Sequence, residues 1–247
     1  MISFRNLEKA FGPKRVLDGV SFDVKDGEVF FIIGGSGVGK SVLIKHLIGL
    51  LRPDAGEIWL DDAEVSQLSE EGMYPIRRKC AMVFQHSTLF DSMTCAQNVA
   101  LPLRKHRGML PREAEAEARR LLEQVGMQAF AGRFPSELGD GMRKRVAIAR
   151  ALSLEPRYVL FDEPTTSLDP VSARRVDRLI KDLRDRLGVT SIVVSHDLVS
   201  IFTIADRIVM LYKGKVKLIG GPDDFRASSD AVIQQFINGR AEGPMET

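Results

Sequence analysis

Eight consecutive residues constrain this chain more than any other feature: Gly34-Gly35-Ser36-Gly37-Val38-Gly39-Lys40-Ser41. They satisfy in full the pattern of a glycine, four free positions and then Gly-Lys-Ser. Glycines let such a loop turn until its backbone N–H groups converge on one centre, and converging N–H groups bind phosphate. Lys40 adds positive charge for the outer phosphates, and the Ser41 hydroxyl is an oxygen ligand for Mg²⁺. Ser41 and Val42 open the following helix, whose positive end joins the cradle. Such a cradle needs a strand before it and a helix after it. The apolar run Val29–Ile33 and the stretch Lys40–Ile48 supply them. A nucleotide site for ATP and Mg²⁺ is the expectation.

The rest of the chain agrees with an α/β fold around a mainly parallel sheet, because short apolar runs alternate with helical patterns. Cys80–Phe84, Tyr158–Phe161, Ser191–Val194 and Ile208–Leu211 are further strand candidates, and Glu57–Leu60 with the turn Asp61-Asp62 predicts an antiparallel return. From Asp91 to Ala151 strand signals stop. There Ala114, Ala118, Leu121, Leu122 and Val125 share one helical face, with Pro111 at its start and Gly126 as its stop. A second marked helix has Asp169 as N-cap, Pro170 at the first position and Gly188 at the end. The expected organisation is one domain over 1–247: an α/β core (1–90 and 152–238), an inserted helical subdomain (91–151) and a polar tail (239–247). The tail lacks apolar periodicity and is expected to fray and to serve subunit association.

Lys plus Arg exceed Asp plus Glu by only two (35 − 33), which argues against a nucleic-acid partner. The longest apolar runs fall far short of the ~20 residues that span a bilayer. The start, MISFRNLEKAFG, has no apolar segment of a signal peptide. Cys80 and Cys95 fit neither a zinc nor a disulfide pattern and read as reduced thiols of a cytosolic protein.

Tyr158–Phe161 ends in Asp162-Glu163, and the chain continues Pro164-Thr-Thr-Ser167-Leu168-Asp169. Two acids after a core strand are by themselves no more than a solvated turn. With that continuation and the phosphate loop, however, the chain resembles the ATPases of ABC transporters. The resemblance implies a P-loop NTPase core with an antiparallel β subdomain and a helical subdomain. It makes Asp162 a Mg²⁺ holder through water and Glu163 the general base for the attacking water. It assigns Gln85 to the glutamine loop, where its amide ligates Mg²⁺ or that water, and His196 to the switch that touches the γ-phosphate. Phe11, with Val16 beside it, would stack on adenine. Asp169 belongs to the loop that closes the nucleotide site.

The family's signature, Leu-Ser-Gly-Gly followed by Gln or Met, is replaced here by Leu138-Gly139-Asp140-Gly141-Met142. In the family this loop contacts the nucleotide held by a second copy, so two copies sandwich two ATP molecules. Gly139 lacks the serine hydroxyl. Asp140 either faces the polyanion, at a cost of up to about 3 kcal/mol, or turns outward and leaves only the backbone to act. The first arrangement implies a weakly hydrolysing ATP-gated module.

Ser87-Thr-Leu89-Phe90-Asp91-Ser92-Met93-Thr94, Asn98-Val-Ala-Leu-Pro102-Leu-Arg104, Met142 and the run from Gln235 to Pro244 resemble the Mla/Mkl ATPases of MCE lipid-transport systems. This implies a phospholipid or other hydrophobic cargo and a transmembrane permease docking near Gln85–Arg104. It also implies an MCE-type lipid-binding subunit and a place on the cytoplasmic face of an inner membrane. Asn-Val-x-Leu-Pro-Leu also fits ATPases that import small solutes such as amino acids. DNA-repair relatives carry long coiled coils between their nucleotide motifs, whereas Lys40 and Asp162 lie 122 positions apart (162 − 40) with no sustained heptads.

Overall fold

A computed structural model describes residues 1–245. The elements begin with β1 (Ile2–Phe11), β2 (Lys14–Val24), β3 (Val29–Gly34), α1 (Lys40–Leu47), β4 (Ala55–Leu60), β5 (Ala63–Glu64) and α2 (Glu70–Lys79). Then come β6 (Cys80–Val83), α3 (Cys95–His106), α4 (Pro111–Gln124), α5 (Asp140–Leu152), β7 (Tyr158–Asp162) and α6 (Pro170–Leu187). The chain finishes with β8 (Thr190–Val194), α7 (Leu198–Ile204), β9 (Arg207–Tyr212), β10 (Lys215–Gly220), α8 (Pro222–Ala227) and α9 (Ala231–Ile237). They form two compact units, one of Met1–Arg77 with the chain from Thr190 onward, the other of Arg78–Val189.

The first unit carries an antiparallel sheet in the order β2-β1-β4-β5 and the strand run β10-β9-β3-β8. In that run β3 lies parallel to both β8 and β9, while β10 returns antiparallel on β9. Every residue of β3 is buried, which is why Val29–Ile33 reads as an unbroken apolar run rather than an alternating one. Phe22 stacks on Phe30 at 5.4 Å and meets Phe4 at 4.7 Å, so aromatic rings fill this core. The expected return near Asp61-Asp62 is the β4–β5 hairpin. β1 and β2 carry no clean period-two signal. Register shifts between Phe4 and Leu7, and again before Lys9 and Ala10, break the alternation of inward residues.

In the second unit β6 pairs in parallel with β7, from Cys80 opposite Tyr158 to Val83 opposite Phe161. Helices α3, α4 and α5 occupy the stretch in which strand signals vanish. α4 buries Ala114, Ala118, Leu121 and Leu122, the face its periodicity predicts. Buried Asn98 fastens the segment before α3: its amide donates to the carbonyls of Phe90, Met93 and Thr94, and its oxygen accepts from Phe90 N–H. α6 has the expected ends, with Asp169 accepting from Val171 and Ser172 N–H and Gly188 at φ 65°. Among the described residues no helix is long and apolar enough to cross a membrane.

Through Met245 the tail is held rather than frayed. Gln235, 6% exposed on α9, accepts from Met245 N–H at 2.7 Å and donates to the Arg240 carbonyl at 3.4 Å. The Tyr212 hydroxyl donates to the Pro244 carbonyl at 3.1 Å. Residues 246 and 247, the end of the expected tail, lie outside the described residues. Such hydrogen bonds are worth about 1 kcal/mol each. Removing the chain from Arg240 onward breaks three of them and should therefore lower Tm by about 6–12 °C for a chain of this size. Differential scanning calorimetry on the truncated chain checks this, and an unchanged Tm would show the tail to be irrelevant to the fold.

Candidate nucleotide site

The phosphate loop of the first unit is shaped by what packs on it. β3 ends at Gly34, φ 142°, where a Cβ would lie 2.3 Å from the Leu211 carbonyl oxygen of β9. At Gly39, φ 106°, a Cβ would lie 2.7 Å from Leu17 Cδ2 and 2.9 Å from Val16 Cγ1 of β2. Only glycine meets both demands, since positive φ and the missing Cβ are needed together. Lys40 is 9% exposed, and its ammonium donates to the carbonyls of Gly34 (2.8 Å) and Gly35 (2.9 Å). The ammonium is thus held across the loop it serves. Gly39 caps α1 without a side chain, so no carboxylate or hydroxyl of the cap competes with a phosphate for the helix N-terminus. Ser36 and Gly37 are exposed, while Val38, Ser41 and Val42 are half-buried.

Around this loop the first unit gathers three of the other expected residues. Val16 is buried against Gly39. Phe11 ends β1 with a 46% exposed ring, and the Lys9 ammonium stands 5.5 Å from its centroid. An exposed aromatic at a hairpin end is free to stack on a planar base. His196 is exposed in the turn between β8 and α7, and Asp197 beside it caps α7. Because β8 lies parallel to β3, His196 and the phosphate loop both leave the C-terminal ends of adjacent strands, where open α/β sheets bind ligands.

One cation escapes the motif pattern: Lys14, at the start of β2. Its Nζ lies 3.6 Å from where a Cβ of Gly37 would stand. Its sequence signal is weak, a basic residue three positions after the aromatic. Met245 also reaches the loop, its Cε 3.6 Å from a Cβ position on Gly35.

The second unit holds the acids. Asp162 ends β7 at 7% exposure. Glu163 follows with φ 50°, a left-handed backbone that costs a non-glycine residue of order 1 kcal/mol or more. Thr166 Oγ1 donates to Glu163 Oε2 at 3.1 Å. Ser167, φ 66°, bends the chain again before Asp169. Hydrogen bonds to Asp169, that of the Ser172 side chain foremost, hold its carboxyl below the usual carboxylate range. Gln85 emerges just beyond the C-terminal end of β6, the strand parallel to β7. Gln85 and Asp162, both of this unit, carry hard oxygen donors, which suit Mg²⁺ rather than a softer metal.

The altered signature loop starts α5. Gly139 is its N-cap in an extended conformation, with nothing within 4 Å of a Cβ position. Asp140 pairs with Arg143 one turn on, and Arg143 also donates to the Leu138 carbonyl. The charge of Asp140 is thus balanced within its own helix, and its place in the first turn suits the helix dipole. Gly141 must stay small, because a Cβ there would lie 2.7 Å from Ser172 Cβ. Gln85, Asp140, Lys144, Thr166 and Ser167 line a cavity of about 160 Å³.

Four outcomes follow from this geometry. Lys40→Ala should abolish detectable ATP binding, read by equilibrium titration, and Lys14→Met should weaken it about tenfold while leaving adenosine binding unchanged. Equal ATP affinity in Lys14→Met would show that Lys14 is merely a solvated neighbour. Gly139→Ser should raise phosphate release at saturating ATP about tenfold, because a hydrogen bond to a charged group is worth about 1.5–3 kcal/mol. Asp140→Asn should change it less than about threefold, its charge being already balanced by Arg143.

The ABC transporter family profile matches residues 17–166. The intermembrane phospholipid transport system ATP-binding protein MlaF of Haemophilus influenzae is 37% identical over 245 residues, 99% of this chain and 93% of that protein. The "Probable ribonucleotide transport ATP-binding protein mkl" of Mycobacterium leprae is 37% identical over 244 residues, 99% of this chain and 70% of that protein. The methionine import ATP-binding protein MetN of Mesorhizobium japonicum is 41% identical over 211 residues, 85% of this chain and 58% of that protein. Among solved structures, a dimeric ATP-binding cassette in a post-hydrolysis state with ADP and Pi superposes with TM-score 0.82 and 33% identity. That superposition covers 90% of this chain and 99% of the cassette. With a converging phosphate loop, an acidic strand end and these matches, the chain belongs to the ABC transporter family and carries its ATP-binding cassette.

Proposed function

We propose that this chain hydrolyses ATP as the motor subunit of a transporter whose cargo is phospholipid or a similar hydrophobic molecule. Hydrolysis rests on Glu163, a carboxylate placed by a strained backbone at the end of a buried strand. The loop N–H groups and Lys40 bind the phosphates, and Phe11 stacks on the base with Val16 at its side. Glu163 takes a proton from a water whose oxygen attacks the γ-phosphorus as the bond to ADP breaks. His196 steadies the departing phosphate. Ser41, Gln85 and, through water, Asp162 would hold Mg²⁺, which when bound would neutralise phosphate charge.

The site is completed by a second copy, whose Gly139–Gly141 segment and Asp169 approach the nucleotide across a sandwich dimer. The solved cassette of similar fold is itself dimeric, which supports this arrangement. A permease would dock near Gln85–Arg104 on the cytoplasmic face of an inner membrane, with an MCE-type subunit carrying the lipid. The match to MlaF over 99% of this chain supports the lipid cargo. The names of mkl and MetN point instead to ribonucleotide and methionine, so a small-solute importer is the competing reading. MetN matches a smaller share of the chain, 85%.

Glu163→Gln should keep ATP binding and lose hydrolysis by at least about a hundredfold, since the amide cannot accept the proton. Phosphate release within threefold of the parent would remove Glu163 as the base. Mass spectrometry of the complex purified with its membrane subunit should detect bound phospholipid. Enrichment of a nucleotide precursor or an amino acid, with no lipid, would favour the small-solute reading.

A further inference from the structure

Lys144, on α5, is a cation buried against backbone rather than against a carboxylate. Its residue is 2% exposed, and its ammonium donates to the carbonyls of Phe84 (2.8 Å) and Gln85 (2.6 Å). Burying an ammonium is costly unless its donors are satisfied, and a methionine would fill the same stem volume without a charge. Burial pushes this lysine down to about 8, with Asp140 and Asp162 acting against that shift. What the charge achieves is visible in the chain it holds. β6 ends at Val83, so Phe84 and Gln85 lie just past the sheet. One ammonium serves both carbonyls and determines where the backbone turns away from the strand.

A second tie lies farther along the same helix. Arg150 donates to the Thr88 carbonyl at 2.9 Å and to Thr88 Oγ1 at 3.1 Å, at a residue whose φ is 47°. Helix α5 therefore grips the segment 84–88 at both ends. Its first turn is the signature loop, where Asp140 pairs with Arg143. Gln85, Asp140 and Lys144 border the same cavity.

We propose that Lys144 is a positioning residue for hydrolysis, which by holding the Phe84 and Gln85 carbonyls to α5 sets the place of the Gln85 side chain. The inference rests on the role given above to Gln85 and deepens it. A lysine in this position makes the glutamine loop and the signature loop two ends of one rigid support, so that displacing either displaces the other.

The test compares Lys144→Met, Lys144→Arg, Gln85→Ala and the double variant Lys144→Met/Gln85→Ala in the full chain assembled with its membrane subunit. Turnover, KM for ATP, the Mg²⁺ concentration at half-maximal turnover and Tm are read for each. Lys144→Met should lower kcat at least tenfold with KM for ATP within twofold, and should raise the Mg²⁺ requirement. Lys144→Arg, which keeps donors for both carbonyls, should recover turnover to within threefold. The double variant should be no slower than the slower single variant, because residues acting through one another are not additive. Additive losses, or a Lys144→Met variant that loses Tm but keeps the parent's kcat, would reduce Lys144 to a structural tie and overturn the proposal. Parental turnover and Mg²⁺ dependence in Gln85→Ala would instead sink the role of Gln85, and the proposal with it. Should Lys144→Met fail to fold, Lys144→Gln, whose shorter arm falls short of bridging both carbonyls, carries the same comparison with the same expected loss of kcat.

Discussion

The close packing of β2 and β9 on the glycines of the phosphate loop is the constraint on which the rest of the first unit depends. Leu211 O leaves no room for a side chain at Gly34, and Val16 with Leu17 leaves none at Gly39. The loop is thus pressed into shape from two sides before any phosphate arrives. That matters because a flexible glycine-rich loop loses much entropy on ordering, and a preformed one has lost it during folding. Lys40 adds to this by lying across the loop on two of its carbonyls. Phe11 and Lys14, at the two ends of the hairpin turn into β2, inherit their positions from the same contact.

In the second unit the equivalent constraint is electrostatic. Helix α5 carries four basic residues, and all four are tied to particular oxygens: Arg143 to Asp140 and the Leu138 carbonyl, Lys144 to the Phe84 and Gln85 carbonyls, Arg145 to the Val125 and Gly126 carbonyls, and Arg150 to Thr88. The acid in the signature loop, which in isolation suggests repulsion of a polyanion, is one half of an intrahelical pair. The missing serine hydroxyl at Gly139 is the larger chemical departure, because among the described residues no side chain caps this helix start and none comes within 4 Å of where a Cβ of Gly139 would stand.

Backbone strain marks the same functional segment. Glu163 and Ser167 both hold positive φ in a stretch without glycine. Their side chains contribute differently: Glu163 takes a hydrogen bond from Thr166, and Ser167 borders the cavity that Gln85 and Lys144 share. Strain of this kind persists only where surrounding structure over-determines the turn, here β7 before it and the capped α6 after it.

The roles of Asp162, Glu163, Gln85 and His196 rested on the resemblance to ABC ATPases, whereas residue order alone carried the phosphate-loop pattern, the buried strand before it and helix ends as fine as Asp169 and Gly188. Those features are local, since a turn, a cap or a buried strand is written in neighbouring residues whose types have few other uses. Strands β1 and β2 were not legible, because bulges break their alternation and their partners lie far along the chain. Only the tertiary structure decided how Asp140 is neutralised, that Lys144 is buried on the glutamine loop, that Lys14 stands beside Gly37 and that the tail is bound by Gln235. A charged side chain is long and flexible, and its partner is chosen by whatever packing brings within about 3 Å, which no periodicity records.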